Sequence, residues 1–391
     1  MEFKGFDENN HHVQKLQIDF VSALGDYFET IVMCFTYVYR IEHNVLSHPS
    51  NLSSSHLVLI HTRNLLHIIP ISVRRSIVKR VTSIPLWLSR FFLNIATSPI
   101  GDEWKWIHKI EQSTWKGVWI APDIKNSKQA EDAALNNDLT ILYTHGGGYC
   151  MGHPLMYMET FQFIIDQLRK EHNIRASILS LDYSLSPEHV WPKARDEAMD
   201  AYRYLVKTIG IPPSKIIFAG DSAGGNLAAT MLLTIKGQAS GDQEYLSLPA
   251  GVALLSPWID LTINQPSFAQ YRNDILSRTQ VAKFVPYYIP NYDKLDEESR
   301  ISMIKNPLIS PLYGDFTGAC PIFLAYGDKE LLRTSIENMK SNLERDGCNV
   351  TTLKGEDALH IWLVSRLMSL SRQIFEKDCK TLINWMASIC K

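Results

Sequence analysis

From about residue 111 onward, short apolar runs alternate with longer stretches of helical period, and this alternation restricts the fold more than any other feature of the chain. The runs at 139–144, 176–183, 215–219, 251–255, 321–326 and 349–353 read as strands. Most are apolar at successive positions rather than at every second one, which marks strands covered on both faces. The segments 196–208, 225–234, 335–345 and 372–386 read as helices. Such alternation lays parallel strands side by side with helices on both faces, so the expected class is α/β with a mostly parallel sheet. The polar stretches 123–138 and 236–247 read as surface connections.

The first 112 residues have a different texture, rich in apolar and basic stretches without strand alternation. Leu24, Phe28, Ile31, Phe35 and Val38 line one helix face. Residues 74–97 hold Arg74, Arg75, Lys79, Arg80 and Arg90 and no acid. Within them Ile84, Leu88, Phe91 and Ile95 share a face, with Trp87 and Phe92 beside it, and Pro85 suits a first helical turn. This reads as a basic amphipathic helix, fitted either to an anionic lipid surface or to packing as a cap. The chain therefore divides into a helical N-terminal region, 1–112, read as a cap with possible membrane association, and an α/β domain, 113–391.

Hydrophobic residues make up 45% of the 391, enough for a sizeable core, and the net charge of −2 gives no basic footprint for nucleic acid. The six cysteines show neither a C-x-x-C pair nor metal-ligand spacing, so no disulfide framework, metal or cofactor is expected. The start of the chain is polar to about Gln17 and lacks a signal-peptide pattern. No uncharged apolar run reaches the roughly 18 residues of a membrane span. Sequons stand at Asn51 and Asn349.

The sharpest local feature is Phe218-Ala219-Gly220-Asp221-Ser222-Ala223-Gly224-Gly225-Asn226, where a strand ends, a serine stands between small residues and a helix begins. A serine exposed on so tight a turn is a candidate nucleophile. A second feature, His145-Gly146-Gly147-Gly148-Tyr149, follows the strand at 139–144. Its glycines can turn backbone N–H groups toward a developing oxyanion, so Gly146 and Gly147, with Ala223, are the expected donors. His145 is expected to orient this loop by hydrogen bonding. Serine needs a base, and on such a sheet the order runs serine, acid, histidine. His360 follows the last strand and is the candidate base. After the strand at 321–326 come Asp328 and Glu330; Glu330, just before a new helix, is the favoured acid and Asp328 the alternative.

With these residues in view, the chain resembles the hormone-sensitive-lipase group of α/β-hydrolases. The resemblance rests on His-Gly-Gly-Gly at 145–148, Gly-Asp-Ser-Ala-Gly-Gly at 220–225, Ser186-Pro187-Glu188-His189 and Leu255-Ser256-Pro257-Trp258. It extends over about 139–362. Where that group has Asp-x-Leu-Arg-Asp, this chain has Glu330-Leu331-Leu332-Arg333-Thr334. The long basic–apolar N-terminal region and Gly327-Asp328-Lys329-Glu330-Leu331-Leu332 look most like fungal steryl acetyl hydrolases. That resemblance implies an esterase removing a short acyl group, acetyl above all, from a lipophilic alcohol such as a sterol. It also implies association with the endoplasmic-reticulum membrane, the cytoplasm being the alternative. Trp87, Phe91, Phe92, Trp104 and Trp106 are then candidate substrate-lining residues. A general small-ester carboxylesterase and a non-catalytic small-molecule receptor on the same fold are the competing readings. Oligomeric state is not read from the sequence.

Overall fold

The computed structural model describes residues 69–122, 124–238 and 245–390. The helix face from Leu24 to Val38 and the Asn51 sequon lie outside the described residues. Residues 70–391 cluster as one compact unit.

Eight strands form one sheet: β1 (Ile107–Glu111), β2 (Lys116–Ile120), β3 (Leu139–Thr144), β4 (Ala176–Leu181), β5 (Ile216–Asp221), β6 (Gly251–Leu255), β7 (Ile322–Gly327) and β8 (Val350–Gly355), in the order β1-β2-β4-β3-β5-β6-β7-β8. Strands β4 to β8 with β3 are parallel, as the alternation predicts, and β1 and β2 add an antiparallel edge. Every residue of β3, β4, β5, β6 and β7 is buried, which explains their unbroken apolar character. Edge strand β1 keeps most of its residues partly exposed, so its sequence carries no comparable signal. The β1–β2 hairpin also straddles the boundary at 112 set by the sequence; strand structure begins inside the segment read as helical.

Helices cover both faces. Successive strand residues feed opposite cores: Ile216 and Phe218 pack with α-helical residues 194–205 and 227–235, whereas Ile217 and Ala219 pack with residues 158–168 and 375–386. In chain order the helices used below are α1 (Ile71–Val81), α2 (Leu86–Thr97), α3 (Ser127–Asn136), α4 (Met158–His172), α5 (Lys193–Arg203), α6 (Ala223–Lys236), α7 (Arg278–Tyr288), α8 (Arg333–Arg345) and α9 (Arg372–Ile389).

Two expectations change. The basic segment 74–97 is not continuous: α1 stops at Val81 and α2 restarts after Pro85, which disfavours helix at the residue before it. The polar stretch 123–138 contains α3, capped by Asn126 accepting from Gln129 N at 2.9 Å. It buries only Ala130 and Ala134, too little apolar surface to show as a periodic stripe. Among the described residues, no helix is long and apolar enough to cross a membrane.

Candidate active site

Ser222 sits between β5 and α6 with φ 52° and ψ −118°, a sparsely populated conformation for a residue with a side chain. Its neighbours must be glycine because the chain folds back on itself there. A Cβ on Gly220 would meet the Gly224 carbonyl oxygen at 2.4 Å, and one on Gly224 would meet the Thr144 oxygen at 1.9 Å. Ser222 N donates to Leu255 O at 3.0 Å, which ties the turn to the end of β6.

His360, on the loop after β8, places Nε2 2.9 Å from Ser222 Oγ. Glu330 follows β7 and is fully buried; its Oε2 accepts from Ser256 Oγ at 2.6 Å and from Gly327 N at 3.1 Å. That same oxygen stands 3.8 Å from His360 Nδ1, an ion-pair separation rather than a hydrogen bond. Glu330 Oε1 and His360 Nδ1 are both buried without a hydrogen-bond partner among the described residues. Burial alone would lower the His360 pKa, but the carboxylates of Glu330, Asp274 and Asp221 outweigh it, and the imidazole stands above the ordinary histidine value. The alternative acid, Asp328, instead pairs with Lys329 at 3.6 Å. The structure thus brings together Ser222, His360 and Glu330, the sequence's favoured set.

The glycine loop departs from expectation at one position. Gly146 N donates to Asp221 Oδ1 at 2.9 Å, so it is not available to an oxyanion. The N–H groups of Gly147, Gly148 and Ala223 have no acceptor among the described residues, and Gly147 and Gly148 line the same cavity as Ser222 and His360. Gly146, which sequence reading named as a donor, thus differs from Gly147 and Gly148. Asp221, fully buried, also accepts from Tyr143 Oη at 2.7 Å and Tyr157 Oη at 2.8 Å. His145 stacks on Tyr183 with centroids 4.3 Å apart, and its Nδ1 lies 2.8 Å from the Gly146 carbonyl. Burial lowers its pKa to about 3, so the ring is neutral and Nδ1 donates to that carbonyl.

The cavity over Ser222 measures about 110 Å³ and is walled by apolar side chains, among them Val78, Leu93, Met151, Met156, Ile275 and Phe284. Segment 70–97 does contribute to the wall, but through Val78, Thr82 and Leu93; Trp87, Phe91, Phe92, Trp104 and Trp106 are not part of it. Trp87 is 70% exposed and Trp104 48%. The reason is the face of α2 that docks. Ser89 donates to Val81 O, Thr97 bonds His153, and Arg90 donates to Cys150 O, Ser186 O and both oxygens of Glu188. With 89, 90, 93 and 97 turned inward, 87 and 91 point away. Three more of the basic residues dock as well: Arg74 donates to Leu367 O and Ser369 O, Arg75 to Asn273 O and Lys79 to Arg272 O. These three cations hold the protein's own carbonyls.

Sequence reading missed Asp221, Ser256 and Asp274. Asp221 lies inside the serine motif and was legible as a buried acid there. Ser256 stands in the quoted Leu255-Ser256-Pro257-Trp258 stretch and Asp274 in no such stretch; the loops that the two hold lie 57 to 105 residues away.

Comparison with known proteins agrees with this geometry. Residues 141–364 match the family described as alpha/beta hydrolase fold. An acetyl-hydrolase of Streptomyces hygroscopicus is 29% identical over 225 residues, 57% of this chain and 68% of its own length. A Schizosaccharomyces pombe protein provisionally named as a steryl acetyl hydrolase is 27% identical over 250 residues, 61% of each chain. This chain spans between 55% and 68% of the length of the curated relatives it matches. A solved hormone-sensitive lipase from a metagenome library superposes with a TM-score of 0.65 at 25% identity, covering 83% of this chain and 99% of that one.

Proposed function

The chain belongs to the hormone-sensitive-lipase group of the α/β-hydrolase family, and on that premise we propose that it is a serine esterase releasing a short acyl group, acetyl first, from a lipophilic alcohol such as a sterol. The observation that carries the reading is Ser222 Oγ at 2.9 Å from His360 Nε2, beside three backbone N–H groups without acceptors among the described residues. In the reaction His360 takes the Ser222 proton as Oγ attacks the ester carbonyl. The N–H groups of Gly147, Gly148 and Ala223 receive the negative oxygen, a contribution of several kcal/mol per well-placed set. His360 then returns the proton to the leaving alcohol, and water repeats the cycle on the acyl-enzyme. Glu330 keeps the imidazole in the tautomer with the proton on Nδ1. A histidine retained within reach of the serine supports catalysis over a binding-only role.

The short acyl preference is supported by size. The apolar cavity of about 110 Å³ is well below the roughly 300–1,000 Å³ of sites that enclose a drug-sized ligand. An acetyl group suits it, and a bulky alcohol would rest toward the exposed end. The sterol part is supported by the name of the fission-yeast relative. Exposed Trp87 and Phe91 on α2 fit delivery of such an ester from a lipid surface, in keeping with an endoplasmic-reticulum membrane location.

The test is a hydrolysis profile over acyl length and alcohol, with steryl acetate supplied in vesicles and in detergent. Rates should fall steeply beyond short acyl chains, and steryl acetate should be cleaved. Activity confined to small water-soluble esters would reject the sterol reading. Fluorophosphonate labelling that survives in Ser222→Ala would reject the nucleophile itself.

A further inference from the structure

Between β6 and β7 lies Asp274, fully buried and outside the set of serine, base and acid. Its Oδ1 accepts from His360 N at 3.0 Å and from Ile275 N at 2.7 Å. Its Oδ2 accepts from Leu331 N at 2.7 Å. Leu331 is the residue after Glu330. One carboxylate therefore grips the backbone of the candidate base and the backbone next to the candidate acid, on two loops that follow different strands. We propose that Asp274 is a positioning residue that sets the spacing between Glu330 and His360. The inference rests on the esterase reading above.

The chemistry of the group argues for this role. Its partners are backbone N–H groups, which can only donate. Only a group with two acceptor oxygens and no donor satisfies both loops at once; an amide can serve one and must confront the other with N–H. Holding an acid in such a place is costly: burial pushes the Asp274 carboxyl up to about 6, against the pull of His360 and the backbone donors. Packing alone would not call for a charge there. Ser256 makes a parallel bridge, its Oγ donating to Glu330 and accepting from Ile361 N at 3.2 Å. The two bridges converge on the 3.8 Å gap between Glu330 and His360 Nδ1. Asp274 does not line the cavity, so it acts on the reaction through these two loops and not on substrate.

Asp274→Asn tests the assignment in the full chain. Sites are counted by fluorophosphonate titration, and a chromogenic acetate ester gives kcat per titrated site and KM. The expected result is a fall in kcat of about 10- to 100-fold, as a small misplacement of catalytic groups gives, with KM within about twofold. The charges facing the His360 imidazole are Glu330, Asp274 and Asp221. Removing one of them lowers the pKa of the base, so the acid limb of the labelling rate moves to lower pH. A residue that merely holds the fold would change the number of titratable sites and leave per-site kcat and the limb where they were; that result overturns the inference alone. A wild-type chain that is never labelled at Ser222 overturns the esterase reading and this inference with it. Where Asp274→Asn leaves no titratable sites, replacing the Leu331 amide by an ester deletes one donor and keeps the carboxylate. A fall in per-site kcat of about tenfold or more there supports the bridge, and an unchanged kcat refutes it.

Discussion

On the glycine-loop side of Ser222, both oxygens of the Asp221 carboxylate are engaged: Oδ1 holds Tyr143 and Gly146 N, and Oδ2 holds Tyr157. On the opposite side, Glu330 Oε1 and His360 Nδ1 lie buried without a partner among the described residues, and Glu330 Oε2 stands 3.8 Å from Nδ1. The first arm is complete without substrate, as the proposed oxyanion site requires, since the worth of such a site lies in dipoles that need no reorganisation. The second is held close to its working geometry by Asp274 and Ser256 but not closed. Catalytic hydrogen bonds are often long in an unliganded site and tighten around the reacting complex. The comparison leads us to expect the base–acid arm to tighten during turnover and the glycine-loop arm to stay as it is.

The largest expected effect separates the two acids on the mobile arm. Glu330→Gln leaves shape intact but removes the charge that fixes the imidazole, and kcat should fall by about 10³- to 10⁴-fold, the size seen when a triad acid becomes an amide. Asp328→Asn removes only a partner of Lys329 and should change kcat by less than about twofold. A dead Asp328→Asn beside an active Glu330→Gln would reverse the assignment.

The rigid arm predicts a different pattern for the same kind of substitution. Asp221→Ala leaves two buried phenols and Gly146 N without an acceptor, at about 1–3 kcal/mol for each orphaned group. It also frees the loop that carries Gly147 and Gly148, so kcat should drop by on the order of 10²-fold. Asp221→Asn should be mild, within about tenfold, because the Tyr157 hydroxyl can turn and accept from the new amide. Asp274 has only N–H partners and no such escape. Steady-state kinetics and thermal unfolding of the three variants measure this, and an Asp221→Asn as damaging as Asp274→Asn would erase the distinction between the arms.

How much of this was legible follows the range of each interaction. The parallel strands were readable because both faces are buried, and Ser222 because its strand, turn and helix are consecutive. The three glycines at 146–148 are locally equivalent. Which N–H is already taken depends on Asp221, some 75 residues on in the sequence, and that is why Gly146 was named as a donor although its N–H is engaged. The aromatic lining failed for a similar reason: the amphipathic face of α2 was visible, but its docking is decided by the polar Ser89, Arg90 and Thr97. Asp274 and Ser256 join loops from different strands, and no window of sequence contains both ends of such a bond.

The smallest effect tests how α2 braces the rigid arm. Arg90 holds the carbonyls of Cys150 and Ser186 together with Glu188, and Cys150 N in turn bonds Gly147 O at 3.1 Å. Glu188→Gln removes only the ion pair, which is half exposed, so the loss should stay below about 1 kcal/mol. Its pH dependence has a defined sign. Hydrogen bonding to Arg90 lowers the Glu188 pKa from 4.5 to about 2, so the pair's stabilisation is present above about pH 4.5 and disappears as pH falls through about 2. Thermal unfolding of wild type and Glu188→Gln should therefore differ slightly near neutral pH and converge toward about pH 2. Arg90→Gln loses the carbonyl bonds too and should slow kcat several-fold while Glu188→Gln leaves it unchanged. Equal kinetics in the two variants would mean that α2 only covers the oxyanion arm and does not brace it.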